Sequence, residues 1–345
     1  MKKGAGVLVV FLAAAAMIFT DAAKLSSANN KVIEFRVSHA VPGMSSIANM
    51  VKAFGDRIVQ NSNGRVKFTY YWSSTLVPYA DSFKGIETGV ADIGNHSISV
   101  DTQPLSNTVV TLPFMGYKSM ESGTKIFWQM YNSTPAIQKE WAGVKLLVAR
   151  MMPTMQIHMA KKLVKTPSDL KGIKIGSEGE VATFINNAGG IAIDVLVPDL
   201  VMSLNTGLIK GWWSHFSSLD AFKTIEMLPY HTILGEGGIS MNVDTLIMNE
   251  DSWNKLSPDL KKVFEEAAAW YSKEMIKADK QLIEDAVNHA KRLEHTFAYL
   301  TPEEIKVWND AAVPLHQKYL EKLEAQGKPA KEIYNATKRL IETSK

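Results

Sequence analysis

With 345 residues, 46% of them apolar and 21% charged, the chain is long enough for about two domains with filled cores and a soluble surface. The formal charge is +3. Removing a leader that carries Lys2, Lys3, Lys24 and Asp21 takes away three positive charges and one negative, leaving +1, so nothing electrostatic points to nucleic acid or anionic lipid. The absence of cysteine excludes disulfides, thiolate nucleophiles, iron–sulfur clusters and cysteine-held zinc.

At the N-terminus, Lys2 and Lys3 precede an apolar run from Val7 to Phe19. That run is shorter than the roughly 20 residues a spanning helix needs and suits the apolar region of a signal peptide. Ser26 and Ala28 offer small residues at a cleavage site, with Thr20 and Ala22 as a weaker pair. Export to the periplasm is the expectation, and without a cysteine the mature chain has no lipid anchor.

Downstream, Ile33, Phe35 and Val37 alternate as a strand over 32–37, and Ile47, Met50, Val51, Phe54, Ile58 and Val59 recur at helical spacing over 45–62. Gly64 stands just past that helix, where a left-handed residue is wanted. A second strand over 65–72, a helix over 81–90 and a third strand over 91–99 complete a pattern that predicts a parallel α/β sheet. A second cycle opens with strands at 144–148 and 155–159. Thr166, Pro167 and Asp169 form a helix-start signature, followed by a strand over 172–175, a helix over 179–187, a turn at Gly207 and a strand reaching Trp213. From Trp253 the chain reads as helical, and the apolar spacing from Leu260 to Leu293 predicts about nine turns, roughly 50 Å and enough to bridge two lobes.

Enzyme signatures are missing: no GxSxG elbow, no phosphate loop and no HExxH helix. Gly235, Gly237 and Gly238 lack dinucleotide-binding spacing and read as a crossover turn. The eight histidines are scattered singly along the chain, so a metal site would need distant partners, and neither a metal nor a cofactor is expected. Ligands of α/β sheets bind at the C-terminal ends of strands. Those positions carry His39; then Asn95, His96 and Ser97; then Gly176, Ser177 and Glu178; then Trp212, Trp213 and Ser214. Neutral polar groups and aromatics suit a small-molecule cleft and assemble no nucleophile, base and oxyanion hole. For His39 the competing reading is an ordinary loop histidine.

Four blocks in order carry a family resemblance: FKGIETGVAD over 83–92, TPSDLKGIKI over 166–175, LNTGLIKG over 204–211 and WNKLSPDLKKVFEEA over 253–267. They resemble the DctP-type solute-binding proteins of tripartite ATP-independent periplasmic (TRAP) transporters. The resemblance implies an α/β, two-lobed periplasmic binding protein type fold, with hinge strands and a long helix crossing both lobes. It also implies closure on a small molecule and delivery to membrane permease subunits. The expected division is a cleaved signal peptide over 1–28, a first lobe over 31–150 plus about 237–260, a second lobe over 151–236, and helices over 257–345 packing on both.

The departures bear on the ligand. The arginine that follows the family's Lys-Ile pair and forks onto a ligand carboxylate is here Gly176. A second arginine aligns with Gln156, and the aspartate before the second-lobe glycine is Lys210. Tyr79 aligns with a first-lobe contact, Ser214 with a ligand-facing residue, and Trp72 adds an aromatic. Guanidinium forks are among the strongest contacts to carboxylates, so their absence predicts a small amine, an amino alcohol or a neutral polar ligand. Adjacent on a strand, Trp212 and Trp213 point to opposite faces, so at most one lines the cleft and can hold an ammonium by its ring face. Glu178 supplies a carboxylate, or simply caps a helix N-terminus. The alternatives are an organic acid held by relocated cations such as Arg150 or Lys210, and an exported hydrolase or lyase using His39 and Glu178. Oligomeric state is left as monomer or homodimer.

Overall fold

The computed structural model describes residues 32–97, 109, 111–177, 179–195 and 199–344. The expected leader and Glu178 lie outside them. In chain order the elements are β1 (Ile33–Ser38), α1 (Ser46–Asn61), β2 (Val66–Tyr71), α2 (Ser82–Glu87), β3 (Ile93–Ser97), α3 (Met120–Ser133), α4 (Pro135–Glu140) and β4 (Val144–Met151). The chain then crosses to a second sheet: β5 (Gln156–Met159), β6 (Lys174–Gly176), α5 (Gly179–Asn187), β7 (Ile191–Ile193), α6 (Leu200–Asn205), β8 (Gly211–Ser214), α7 (Phe216–Ala221) and β9 (Tyr230–Ile233). It returns as β10 (Val243–Asn249) and ends with α8 (Glu250–Asn254), α9 (Pro258–Arg292), β11 (Thr296–Tyr299), α10 (Pro302–Glu324) and α11 (Ala330–Thr343).

The first lobe is a five-stranded sheet in the order β2-β1-β3-β10-β4, and the second a six-stranded sheet in the order β11-β9-β5-β8-β6-β7. The expected all-parallel pattern holds only in part. Strand β1 runs parallel to β2 and β3, but β10 is antiparallel to β3 and β4, and β5 is antiparallel to β8 and β9. Chain traffic between the lobes is the reason: β4 leaves the first lobe where β10 enters it, so the two must run in opposite directions. The Thr166–Asp169 signature also ends differently. Its reciprocal cap forms, with Asp169 Oδ2 accepting from the Thr166 amide at 2.9 Å, but it starts a single 3-10 turn over Pro167–Leu170 instead of a longer helix.

Each sheet buries both faces. In the first lobe Phe35, Val37, Phe54 and Ile58 pack against Phe264 and Tyr271 of α9, while Ile86, Phe127 and Trp141 fill the opposite side. In the second lobe Ile157, Phe184 and Trp213 pack on Trp308 of α10, and Leu204 and Phe216 meet Ala286 and Ala290 of α9. The 35-residue helix α9 therefore sits in the core of one lobe at its start and of the other at its end. Phe114 ties the lobes a second way. Its neighbour Met115 lies in the first-lobe core, whereas its own ring stacks on Trp308 at 5.7 Å in the second. In the 235–238 crossover only glycine fits at Gly237, where a Cβ would stand 1.5 Å from the Tyr117 carbonyl oxygen. Among the described residues no helix is long and apolar enough to cross a membrane.

Candidate functional site

Both crossings between the lobes meet at the C-terminal ends of β6, β7 and β8, and there the chain encloses a cavity of about 270 Å³. Met152, Pro153 and Met155 line it from the first crossing, and Ser240 and Asn242 from the second. The second lobe adds Ser177, Asp194, Trp212, Ser214 and His215. Strand ends expose backbone and short polar side chains there because the sheet stops while the helices continue around it. Among the described residues no lysine or arginine lines this cavity, and Asp194 is its one carboxylate. Burial lowers the His215 imidazole to about 4, so it is neutral at pH 7.

The first lobe holds a smaller hollow lined by Ser38, His39, Tyr79, Ser82 and Asn95, with space for about one water. His39 is buried at the end of β1, where burial lowers it to about 4 against the opposing pull of Asp244. Its Nδ1 accepts from the Val41 amide at 3.3 Å, and Asn95 Oδ1 accepts from the Ala40 amide at 3.0 Å. The pair thus shapes the loop leaving β1.

The expected residues divide. His39, Tyr79 and Asn95 come together in the first-lobe hollow, and Trp212, Trp213 and Ser214 in the larger cavity. Both tryptophans border the cavity, and their side chains divide between the two faces of β8. Trp212 is half-buried, while Trp213 is core, edge-on to Phe114 at 6.5 Å and 5.9 Å from Trp308. Gly176 ends β6 beneath this wall.

Other expected residues go elsewhere. His96 points into the core between Phe83 and Trp141, with Ser82 Oγ 3.2 Å from its Nδ1. Trp72 stacks on Tyr70 at 5.3 Å, with Lys52 Nζ 5.4 Å from its ring, and lines neither space. Both ends of the Gln156 amide are engaged by the return crossing: Nε2 donates to the Gly235 carbonyl and Oε1 accepts from the Leu234 amide, each at 2.8 Å. Gln156 is thus a clamp at the hinge. The two cations named as replacements line neither space. Arg150 is 2% exposed and donates to Asp279 at 2.5 Å and Asp244 at 3.1 Å. Lys210 precedes β8, about 13 Å along the strand from Ser214.

Sequence reasoning missed Asp194, Ser240, Asn242 and His215. Asp194 directly follows β7, so the strand-end rule applied to that short IAI segment would have found it. Ser240 and Asn242 needed the second crossing to be placed first.

The profile of "Bacterial extracellular solute-binding protein, family 7", DctP, matches residues 37–323. The chain belongs to the DctP family. DctP relatives include the C4-dicarboxylate-binding periplasmic protein of Rhodobacter capsulatus, 22% identical over 85% of this chain and 88% of its own length. Among solved structures, a TRAP periplasmic solute-binding protein from Desulfovibrio salexigens, in an open complex with a symmetry mate's C-terminus in its ligand-binding site, superposes with a TM-score of 0.78. It is 23% identical and covers 90% of this chain and 96% of its own. A TRAP solute-binding protein from Rhodoferax ferrireducens with copurified benzoate gives a TM-score of 0.73 at 20% identity, covering 90% and 98%. The two-lobed α/β fold is that of the DctP proteins, and the role is the family's, solute binding for transport and not catalysis.

Proposed function

We propose that this DctP protein is exported by its leader and captures a neutral polar or cationic small molecule, an amine or amino alcohol included, between its lobes. One observation carries the reading. Among the described residues, the cavity where the two crossings meet has an indole, hydroxyls, an amide and a single carboxylate in its wall, and no lysine or arginine. An ammonium over the Trp212 ring gains roughly 0.5–2 kcal/mol, more when desolvated, and Asp194 supplies the opposite charge. Ser214, Ser240 and Asn242 provide the neutral donors and acceptors that orient hydroxyl groups. Ligand-stabilised closure about the 152–155 and 234–242 crossings delivers selectivity as differential affinity for the closed state.

A second reading, in which the ligand is an organic acid, is favoured by the relatives: the Rhodobacter protein is named for C4-dicarboxylates and the Rhodoferax structure holds benzoate. Here the carboxylate would be met by neutral donors such as Ser177, Ser214 and Asn242, without a guanidinium fork. Native mass spectrometry of protein purified without added ligand distinguishes the two. A copurified amine or polyol supports the first reading, and a copurified acid sinks it.

A further inference from the structure

A second, larger space of about 480 Å³ opens where both crossings, α9 and the edge strand β11 come together. Among the described residues this groove shares no lining residue with the 270 Å³ cavity. Along the first crossing the two spaces take alternate residues: Met155 lines the cavity, while Thr154 and Gln156 line the groove. Gly235 and Glu236 bring the second crossing to it. Its volume falls within the roughly 300–1,000 Å³ of ordinary small-molecule sites.

Aromatic rings form one wall of the groove. Phe297 and Tyr299 are two apart on β11 and so share a face, with centroids 5.9 Å apart and planes 10° from parallel. Phe216 continues the row, 5.9 Å from Phe297 and tilted by 11°. Core packing does not account for the last ring, because Tyr299 is 63% exposed. A row of near-parallel rings that ends in solvent offers a flat apolar surface with no partner of its own. Charge narrows the choice of occupant. Among the described residues Lys280, Glu236 and Glu284 are the charged groups of the groove. Lys280 Nζ lies 2.6 Å from Glu121 Oε1, and that bond chiefly raises its pKa, so the ammonium is already matched. Glu236 and Glu284 are both exposed and leave the groove two negative charges in excess. Ring faces attract cations as carboxylates do. An aromatic cation satisfies the rings and the charge together, whereas an aromatic acid satisfies the rings alone.

We propose that this groove is a second small-molecule site, separate from the cavity, and that it takes a flat aromatic cation. Gln156 ties the two crossings together through the Gly235 carbonyl and the Leu234 amide, so an occupant lies against the hinge clamp and braces it. The proposal does not depend on which ligand the cavity holds.

The test is titration calorimetry of the exported protein at about pH 7 with 1-naphthylmethylamine, and with 1-naphthylacetate as the same rings carrying the opposite charge. The amine is expected to fill a site that survives Trp212→Ala in the cavity, and the acid to bind that site at least about tenfold more weakly. Tyr299→Ala should weaken the amine by about fivefold, and so should Glu236→Gln combined with Glu284→Gln. Hydrogen exchange locates the site: the Leu234 amide, which donates to Gln156, slows by about threefold or more when the amine saturates the protein. Failure of the amine to bind overturns the proposal, as does equal binding of the acid. Amine binding that ignores the groove variants and slows exchange only at 212–215 also overturns it, and places the amine in the cavity alone. The substituted groove side chains are exposed and carry no core contacts to lose, and the comparison of amine with acid needs no variant.

Discussion

The indole of Trp212 lies over Gly176. A Cβ at position 176 would meet Trp212 Cδ1 at 3.3 Å and Ile209 Cδ1 at 3.0 Å. The space an arginine would need at the end of β6 is taken by a ring and a core side chain, so the missing guanidinium is matched by its surroundings. Gly176→Arg alone is expected to destabilise the protein by about 1–3 kcal/mol through overpacking, measured by urea unfolding, and to gain no affinity for acids. Gly176→Arg with Trp212→Ala relieves the Trp212 contact and is expected to gain carboxylate binding. Acid binding by the single variant would show that the ring yields freely.

Buried histidines make the protein acid-labile. His39 and His215 are lowered to about 4 and His231 to about 3 by burial, and His158, His295 and His316 are lowered as well. Each folded value is below the unfolded value of about 6.5, so as pH falls the unfolded chain binds more protons than the native one. Stability is full above about pH 6.5 and drains as the pH falls toward 4, on the order of 3 kcal/mol at pH 4 for His39 alone. Calorimetric Tm should fall steeply across that window. A flat Tm would mean these rings find counter-charges or water on acidification.

Arg150 holds together the first lobe and the long helix. It joins β4 to Asp244 of β10 and Asp279 of α9, with one positive charge set between two carboxylates. Burial raises the Asp279 carboxyl while Arg150 pulls it down. Arg150→Met leaves the two carboxylates facing each other and should cost about 3–5 kcal/mol in chemical denaturation at pH 7, with part of the loss recovered as the pH is lowered and the freed carboxylates protonate. A loss below about 1 kcal/mol would mean the triad behaves like a surface ion pair.

Much of the architecture was legible because the local signals agree with burial. Phe35 and Val37 alternate inward along β1, and the i, i+4 series Leu260, Phe264, Ala268 tracks the buried stripe of α9. What escaped was short or non-local. Strands β9 and β11 are four residues each, and YHTI and TFAY carry no apolar alternation. The row of His158, His231 and His295, with 2.8 Å and 3.0 Å between facing nitrogens, is invisible in sequence because its members are 73 and 64 residues apart, and only the β5–β9 register and the turn into β11 unite them. The site was legible to the extent that strand ends are places. The side chains at those places were not: His96 turned inward because one residue along a strand reverses the face, and Gln156 was spent on the backbone of the return crossing.

Phe114 offers a direct probe of how the lobes are coupled. It sits at φ 60° between two cores, 1% exposed, 4.4 Å from Phe184. Phe114→Ala empties that position in the second-lobe core and should cost about 3–5 kcal/mol. Because the ring is also a tether, unfolding monitored separately by probes in each lobe should lose its coincidence. Coincident transitions in the variant would show that α9 and the crossings suffice.

The proposed cleft holds its ligand without a lysine or arginine. The most direct measurement is a thermal-shift comparison of matched ligands on one ring: benzylamine and benzyl alcohol against benzoate, extended to aliphatic amino alcohols and their acid counterparts. A ligand at about 100 times its Kd stabilises the folded state by about 2.7 kcal/mol, a shift of a few degrees for a chain this long. The account predicts that amine or alcohol members raise Tm and that their carboxylate partners do not. Stabilisation by the acids alone would contradict it.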